Sequence, residues 1–371
     1  MLQRDNIPLV DLNAQYLSIK GEIDNAISNC VTEGNFIKGP AVTDFEVAFS
    51  NYLGADHCVG CGNGTDALEL IMRALNIGPG DEVIVPALTW IATAEAVSNV
   101  GAKPVFVDID RESYTIDVTR IESKITKKTK AVIPVHLYGY PADVEKIIES
   151  CEKYGLFLVE DCAQAHGAEY NGKKVGTFGI ASAFSFFPSK NLGAIGDAGA
   201  VVTNNHDIAE AVRMISNHGQ LKARHKHSVI GRNSRLDTIH AAILNVKLPH
   251  LDEWNEKRIL ASKYYISLLS DIEGMTLPKT GFDRKHVFHL FVIRHTNRDK
   301  IMKMLAHFNI ASSIHYPTPL PFLDAYSYMK HKPEDFPVAS AITKEILSLP
   351  MYPEISQLQI DCVCDQIFKF G

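Results

Sequence analysis

Asp161 and Lys190 are the residues of this sequence whose types and spacing most clearly indicate chemistry. Asp161 follows the run Phe157–Glu160, which has the pattern of a buried strand, and Lys190 follows it by 29 residues in a loop of small residues. A lysine amine can form a Schiff base with the aldehyde of pyridoxal phosphate, and a carboxylate can keep the pyridine nitrogen protonated so that the ring accepts electrons. The pair therefore predicts a pyridoxal-phosphate site in which Lys190 and Asp161 are catalytic.

Each of these two residues also has a simpler interpretation. Asp161 could cap a following helix, and most lysines are surface residues. The six residues before Ser189, from 183 to 188, are free of charge, which favours a buried amine. Burial and a nearby positive ring would keep that amine neutral and nucleophilic. In the same neighbourhoods, Ser185 could bond a phosphate and Gln164 could meet the phenolic oxygen of the cofactor.

A glycine-rich turn, Gly60–Asp66, is the candidate phosphate site. Glycines let backbone amides approach a phosphate, and Thr65 and Asp66 would open a helix whose N-terminus attracts a dianion. The turn lacks the Lys-Ser/Thr ending of a P-loop and a full G-x-G-x-x-G, so an ordinary strand-to-helix turn is the alternative. Gly64, Thr65 and Asp66 are therefore candidate cofactor ligands.

Trp90 is one of only two tryptophans and follows a predicted strand end. Its indole could stack on a planar ring. The alternative is a helix residue that packs on the sheet.

Size and composition describe an ordinary globular protein. The chain has 371 residues, of which 46% are hydrophobic and 22% charged, with a net charge of −6. We expect two domains, residues 1–250 and 251–371. The acidic balance argues against a nucleic-acid partner, and the sequence contains neither a long apolar span nor a signal-peptide pattern.

The seven cysteines are an odd number, which together with the missing signal peptide predicts reduced thiols in a cytoplasmic protein. Cys58 and Cys61 form a C-x-x-C, but one pair supplies only half of a tetrahedral zinc site. We therefore expect no metal.

The first two-thirds of the chain alternates short apolar runs with amphipathic helices, which predicts an α/β fold with a mostly parallel seven-stranded sheet. The predicted strands are His57–Gly60, Glu82–Pro86, Pro104–Val107, Ala131–Val135, Phe157–Glu160, Ala181–Phe186 and Ala200–Thr203. The predicted helices include Thr65–Leu75, Thr89–Val100, Asp143–Tyr154 and His206–Asn217. Since ligands bind at the carboxyl ends of such strands, the glycine turn, Asp161 and Lys190 should converge.

After residue 251 the pattern changes to a small α+β unit. A helix from Asp252 to Ser270 leads to an extended segment, His286–Arg294, then to a helix Arg298–Phe308 and another near the C-terminus.

The chain resembles the sugar aminotransferases of the DegT/DnrJ/EryC1/StrS family, which have the aspartate-aminotransferase fold (fold type I of the pyridoxal-phosphate enzymes). The resemblance runs through most of the chain in ordered blocks. They are Asn35–Pro40, Gly62–Leu68, Pro86–Thr93, Glu160–Gln164, Ser185–Lys190, Gly231–Asp237 and His315–Pro317. Cys162 departs from the family, where alanine is more usual, and Ala198 stands where glycine is common.

The resemblance implies a homodimer whose active sites lie at the subunit interface. It places the cofactor on Lys190, its pyridine nitrogen against Asp161 and its ring under Trp90. The phosphate would be held by Thr65, by a neighbouring amide of Gly64 or Asp66, by Ser185, and by Asn233 of the other subunit.

The resemblance also implies a nucleotide-linked keto-sugar as substrate, met by Arg235, His315 and Tyr316, with glutamate as amino donor and 2-oxoglutarate as its product. Pyridoxamine phosphate would carry the amine between the half-reactions. The blocks His218–Gln220 and Gly231–Asp237 resemble those of 3-aminotransferases that act on a UDP-linked 3-keto-N-acetylhexosamine or its uronic acid. They imply amination at C3 for surface-polysaccharide (lipopolysaccharide, O-antigen) biosynthesis. Amination at C4 and a non-catalytic regulatory protein are the alternatives. Some relatives replace the lysine with histidine and deoxygenate sugars, whereas Lys190 favours transamination.

Overall fold

The computed structural model describes residues 6–221 and 225–369 and contains a central seven-stranded sheet. Its strands and those of two smaller sheets are β1 (His57–Cys61), β2 (Glu82–Pro86), β3 (Lys103–Val107), β4 (Thr129–Val132), β5 (Phe157–Asp161), β6 (Glu169–Tyr170), β7 (Lys173–Lys174), β8 (Ala181–Ser185), β9 (Gly199–Thr203), β10 (Arg284–Lys285), β11 (Phe291–Arg294) and β12 (Ile346–Leu349). The order in the large sheet is β1-β9-β8-β5-β4-β2-β3. Only β9 runs antiparallel to its neighbours, so the predicted mostly parallel sheet is confirmed.

Helices cover both faces of this sheet. They are α1 (Leu12–Ser18), α2 (Lys20–Glu33), α3 (Pro40–Leu53), α4 (Gly64–Ala74), α5 (Ala92–Asn99), α6 (Val118–Ile121), α7 (Val144–Tyr154), α8 (His206–Ile215), α9 (Thr238–Lys247), α10 (Leu251–Leu269), α11 (Arg298–His307), α12 (Pro337–Ile342) and α13 (Gln357–Phe368). Short 3-10 turns join several of them. Among the described residues, no helix is both long and apolar enough to cross a bilayer.

Strand β2 illustrates why apolar runs make this sheet. Its side chains alternate between faces, so Val83 and Val85 pack into the core that contains α4 and α5. Ile84 points the other way and packs with Ile147 of α7. Because both faces are covered, consecutive residues in the middle of the strand are apolar, which explains the continuous apolar runs seen in the sequence.

The C-terminal part has its own core around the antiparallel pair β11–β12, packed against α10, α11 and α13. Helix α10 begins at Leu251, next to the predicted boundary. Many contacts cross that boundary. For example, Ile7 packs in this core and bridges Ile310, and β10 pairs with β6. The division at residue 250 stays a prediction.

Two sequence-based boundaries were wrong. The predicted helix Thr89–Val100 begins only at Ala92, since Trp90 lies in the turn before it. The predicted extended segment His286–Arg294 is a strand only from Phe291, because His286 to Leu290 fold against the large sheet's loops rather than pairing as a strand.

Gly199, the first residue of β9, packs closely against the backbone that precedes α4. A Cβ there would lie 2.4 Å from the carbonyl carbon of Asn63, the residue before α4. Because backbone cannot move aside like a side chain, Gly199→Ala should destabilise the cofactor-free protein by about 1–3 kcal/mol, measured by chemical denaturation. Gly21→Ala, in α2 with no atom within 4 Å of the new Cβ, is the control and should be neutral or slightly stabilising. Equal midpoints for the two variants would contradict this packing.

Candidate active site

Asp161 is the last residue of β5 and lies buried at the carboxyl edge of the sheet. Its Oδ2 accepts a hydrogen bond from the Thr93 hydroxyl at 2.8 Å, and its Oδ1 accepts one from the Ala163 amide at 3.1 Å. Burial raises the pKa of Asp161, while Thr93, Ala163 and the charge of Lys190 oppose that rise. Both donors are neutral, and within the described residues no cation lies in salt-bridge range. A positively charged group in contact with this carboxylate would therefore stabilise its charged form.

The strand end that carries Asp161 is fixed by its neighbour Glu160. This fully buried carboxylate accepts hydrogen bonds from the amides of Gly176, Phe178 and Gly179 and pairs with His136 Nε2 at 3.1 Å. These donors hold the pKa of Glu160 below its ordinary value despite burial.

Together with Cys162, His136 and Glu160 form a group of three metal-ligand types. His136 Nδ1 accepts the amide of Ala142, so Nε2 carries the proton and donates to Glu160. Burial also raises the pKa of the Cys162 thiol. The group is thus a hydrogen-bonded support rather than a set of free ligands.

Lys190 lies in the loop after β8 and is half-buried. Its amide donates to the Phe187 carbonyl at 2.9 Å, which closes a tight turn. Burial lowers the pKa of Lys190 to about 8, and the negative charge of Asp161 limits that decrease. An amine with this pKa is partly neutral near neutral pH and can act as a nucleophile.

The start of α4 lies against the end of β8. A Cβ on Gly64 would come within 2.7 Å of the Ser185 Cβ, so glycine is required for this approach. Thr65 is partly exposed beside it. Asp66, by contrast, is engaged: its amide donates to Asn63 Oδ1 at 2.8 Å and its carboxylate pairs with Arg232 at 2.7 Å. Gly64, Thr65 and Ser185 therefore form an open cradle at a helix N-terminus, while Asp66 lies behind it.

An aromatic wall follows strand β2 and involves the C-terminal part. Trp90 is 57% exposed, so it is not packed on the sheet as a core residue. Its ring centroid lies 5.6 Å from that of Tyr316. The Tyr316 hydroxyl accepts a hydrogen bond from Gln164 Nε2 at 3.0 Å, and Gln164 Oε1 accepts the Tyr138 amide at 2.7 Å. Gln164 thus ties the segment after Asp161 to Tyr316.

His315 lies beside this wall. Its Nδ1 is 2.8 Å from the Ser348 hydroxyl, and its carbonyl accepts a hydrogen bond from the Tyr138 hydroxyl. Burial and the charge of Lys190 lower the pKa of His315 to about 4, so the imidazole is neutral at neutral pH.

Asn233 and Arg235 lie in a different place. Asn233 is exposed, and its backbone bridges Asn217. Arg235 donates weakly to the Asn217 side chain and lines a cavity of about 200 Å³ with Lys38 and Arg213. Within the described part of one chain, no hydrogen bond or ion pair joins Asn233 or Arg235 to the Asp161–Lys190 group.

Sequence reasoning missed two residues of the site. Thr93 stands in the block Pro86–Thr93, but no local pattern identifies its hydroxyl as the partner of Asp161, which is 68 residues away in the chain. His166 is fully buried between the rings of Phe184 and Phe186, with centroids at 5.5 and 5.6 Å. Burial and the charge of Lys190 lower its pKa to about 3.

The residues present fit a phosphorylated pyridine aldehyde. The cradle at Gly64 and Ser185 suits a phosphate, since a helix N-terminus attracts anions. The buried Asp161 carboxylate lacks a cation, and a protonated ring nitrogen would supply one. Lys190 offers an amine of lowered pKa near that carboxylate.

Comparisons with known proteins agree with this fit. The sequence is 44% identical over 367 residues to the "Pleiotropic regulatory protein" of Geobacillus stearothermophilus, covering 98% of both chains. It is 45% identical over 360 residues to the "UDP-N-acetyl-3-dehydro-alpha-D-glucosamine 3-aminotranferase" of Acidithiobacillus ferrooxidans, covering 97% of this chain and 96% of the relative.

Solved structures show the same fold. DesV of S. venezuelae, solved with a ketimine intermediate, superposes with a TM-score of 0.96 at 42% identity and 98% coverage of both chains. NtdA of Bacillus subtilis, solved with bound pyridoxamine phosphate, gives a TM-score of 0.89 at 30% identity, covering 98% of this chain and 84% of NtdA. The profile of the DegT/DnrJ/EryC1/StrS aminotransferase family matches residues 17–368. The chain therefore belongs to this family of pyridoxal-phosphate-dependent aminotransferases.

Proposed function

We propose that the chain transfers an amino group from glutamate to the C3 keto group of a nucleotide-linked sugar. The observation that carries the catalytic part is the buried Asp161 carboxylate, held by neutral donors only, near the amine of Lys190. The relative from Acidithiobacillus, named for a UDP-linked 3-dehydro sugar, supports the choice of substrate and position.

Lys190 performs two tasks in this proposal. Its neutral amine is the nucleophile that would hold the cofactor through the cofactor's aldehyde, until the amino donor takes that place. The same amine, when not bonded to the cofactor, would move the proton of the donor's α-carbon, as a general base and then as a general acid. Bound pyridoxal phosphate supplies the aldehyde that exchanges amines and the ring that accepts the released electron pair.

Asp161 keeps the ring nitrogen protonated, and Thr93 keeps the carboxylate in place for it. Gly64, Thr65 and Ser185 hold the phosphate, with Asp66 stabilising the helix that presents them. Trp90 would cover the face of the ring, and Gln164 would hydrogen-bond to the phenolic oxygen. Tyr316 and His315 form the wall that the sugar approaches.

A homodimer would complete this site, with Asn233 reaching the partner's phosphate and Arg235 the partner's nucleotide sugar. The surface beside Asn233 supports this arrangement. Phe36 and Ile37, about half exposed, lie directly beside the segment that carries Asn233, because Ile37 bridges Asp237 and Thr238 donates to Phe36. Exposed apolar residues next to polar and charged side chains are typical of a protein interface.

Amination at C4 is the nearest alternative, and a regulatory role is the other, since the Geobacillus relative is named a regulatory protein. A panel of UDP- and dTDP-linked 3-keto and 4-keto sugars with glutamate tests all three. We expect turnover of a UDP-linked 3-keto sugar, with the new amine at C3 in the NMR spectrum of the product. An amine at C4 would contradict the position. Absence of turnover, with a cofactor absorbance band that glutamate leaves unchanged, would contradict catalysis and favour the regulatory role.

The reactivity of Lys190 is a second prediction. In the cofactor-free protein, acylation of Lys190 followed by peptide mapping should be half-maximal near pH 8, because burial lowers its pKa to about 8. Asp161→Asn should shift this midpoint to lower pH, because the negative charge of Asp161 partly offsets the lowering of the Lys190 pKa by burial. The exposed Lys146 serves as the reference in the same digest. A Lys190 midpoint near the usual lysine value of about 10.4, unchanged in Asp161→Asn, would contradict the proposed environment.

Borohydride reduction of the holoenzyme identifies the attachment point independently. The reduced cofactor should be found on Lys190 and on no other lysine peptide. A label on Lys173 or Lys174 instead would refute the assignment.

Subunit sharing is tested by complementation. Lys190→Ala subunits are mixed with subunits that carry Asn233→Ala and Arg235→Ala together. If sites are shared across an isologous interface, each heterodimer has one site without a lesion, and activity should return to about half per dimer. Recovery is measured on purified heterodimers with two different affinity tags. A verified heterodimer without recovery would mean that Asn233 and Arg235 serve their own subunit or neither.

A further inference from the structure

A buried network of amide side chains holds the loop that carries Lys190. Asn191, the next residue, is 2% exposed. Its Nδ2 donates to Asn255 Oδ1 at 2.8 Å and to the Val287 carbonyl at 3.0 Å. Its Oδ1 lies 3.2 Å from His289 Nδ1. Because Oδ1 is an acceptor, His289 Nδ1 carries the proton in this arrangement.

Asn255, on α10, joins this loop to the segment after Asp161. It is fully buried, and while its Oδ1 accepts from Asn191, its Nδ2 donates to the carbonyl of His166 at 2.8 Å. His166 is five residues beyond Asp161, and Asn191 is one residue beyond Lys190. A single amide side chain therefore bridges the two segments that supply the carboxylate and the amine.

The surroundings keep this bridge rigid. One turn along α10, Arg258 is buried and donates to the carbonyls of Phe288 and Met351, which holds the segment that carries His289. At the far end of the loop, the buried Lys247 donates to the Gly193 carbonyl at 2.8 Å. Buried amides that lose a partner cost about 1–3 kcal/mol each, so the network has few alternative arrangements.

We propose that Asn255 is a positioning residue that fixes the backbone of Lys190 relative to Asp161, acting through Asn191 with His289 as the second support. The proposal rests on the proposed function, because it assumes that Lys190 and Asp161 perform the chemistry. Lys190 must leave the cofactor and move a proton in every half-reaction, so its side chain moves while its backbone must stay in place. A misplacement of about 1 Å can cost about 100-fold in rate.

Asn255→Ala tests the proposal, with Ser262→Ala as the matched control. Ser262 is a buried polar residue of the same helix, but among the described residues its hydroxyl bonds only to the Ile259 carbonyl within the helix. We expect Asn255→Ala to lower kcat by about 10- to 100-fold, with the KM values for both substrates within about threefold of wild type. Ser262→Ala should leave kcat within about threefold.

A second readout does not depend on turnover. In the cofactor-free protein, Asn255→Ala should move the pH midpoint of Lys190 acylation towards that of the exposed Lys146, since a loosened loop lets the amine reach water. Thermal unfolding of both variants is measured alongside. If kcat and the acylation midpoint of Asn255→Ala match those of Ser262→Ala, Asn255 is only structural and the proposal is overturned.

The His289 variants decide the matter if Asn255→Ala does not fold. His289→Asn keeps a donor near the Nδ1 position, whereas His289→Leu removes it. We expect the asparagine variant to retain kcat within about threefold and the leucine variant to lose about tenfold, and equal kcat values would overturn the proposal.

Borohydride labelling of Lys190 in the wild-type protein distinguishes failure of the proposed function from failure of the positioning role. A label on another lysine refutes the proposed function. A label on Lys190, together with Asn255 and His289 variants of unchanged kcat, refutes only the positioning role.

Discussion

The buried carboxylate of Asp161 is the constraint on which the rest of the site depends. A carboxylate taken out of water costs several kcal/mol unless hydrogen bonds and an opposite charge compensate it. Thr93 and Ala163 supply the hydrogen bonds, and no fixed cation among the described residues supplies the charge. The site is therefore built to accept a positive group at this point. The neighbouring Glu160 is also a buried carboxylate, but three backbone amides and His136 donate hydrogen bonds to it. Glu160 therefore has a structural role.

Three histidines near Lys190 strengthen this electrostatic arrangement by staying neutral. Burial lowers the pKa values of His166 and His315 to about 3 and about 4, and that of His289 well below its ordinary range, with the charge of Lys190 contributing to each. Neutral imidazoles add donors and acceptors without adding charge. The attraction between Lys190 and Asp161 is thus not diluted by competing cations, and a proton released at Lys190 has no strongly basic imidazole to take it.

The sequence predicted the elements of the sheet and the convergence of Gly64, Asp161 and the Lys190 loop, because apolar runs and strand ends are local patterns. It could not predict partners that are far apart in the chain. Thr93 and Asp161 are 68 residues apart, and Asn191 and Asn255 are 64 apart, so nothing local links them. Tertiary contacts also moved boundaries: the predicted helix Thr89–Val100 begins at Ala92, after a turn that leaves Trp90 exposed and brings Thr93 to Asp161.

The site also depends on residues that follow the large sheet in the chain. Tyr316 hydrogen-bonds to Gln164, and Asn255 hydrogen-bonds to His166 and Asn191. The C-terminal part thus supplies the Tyr316 side of the aromatic wall and the bridge between the catalytic segments. Each of these contacts ends on the segment just after Asp161 or just after Lys190. Packing of α10 and of the segment that carries Tyr316 against the sheet is therefore what turns two nearby strand ends into one site of fixed geometry. Without this part, the site would lack the bridge that sets the position of Lys190 relative to Asp161.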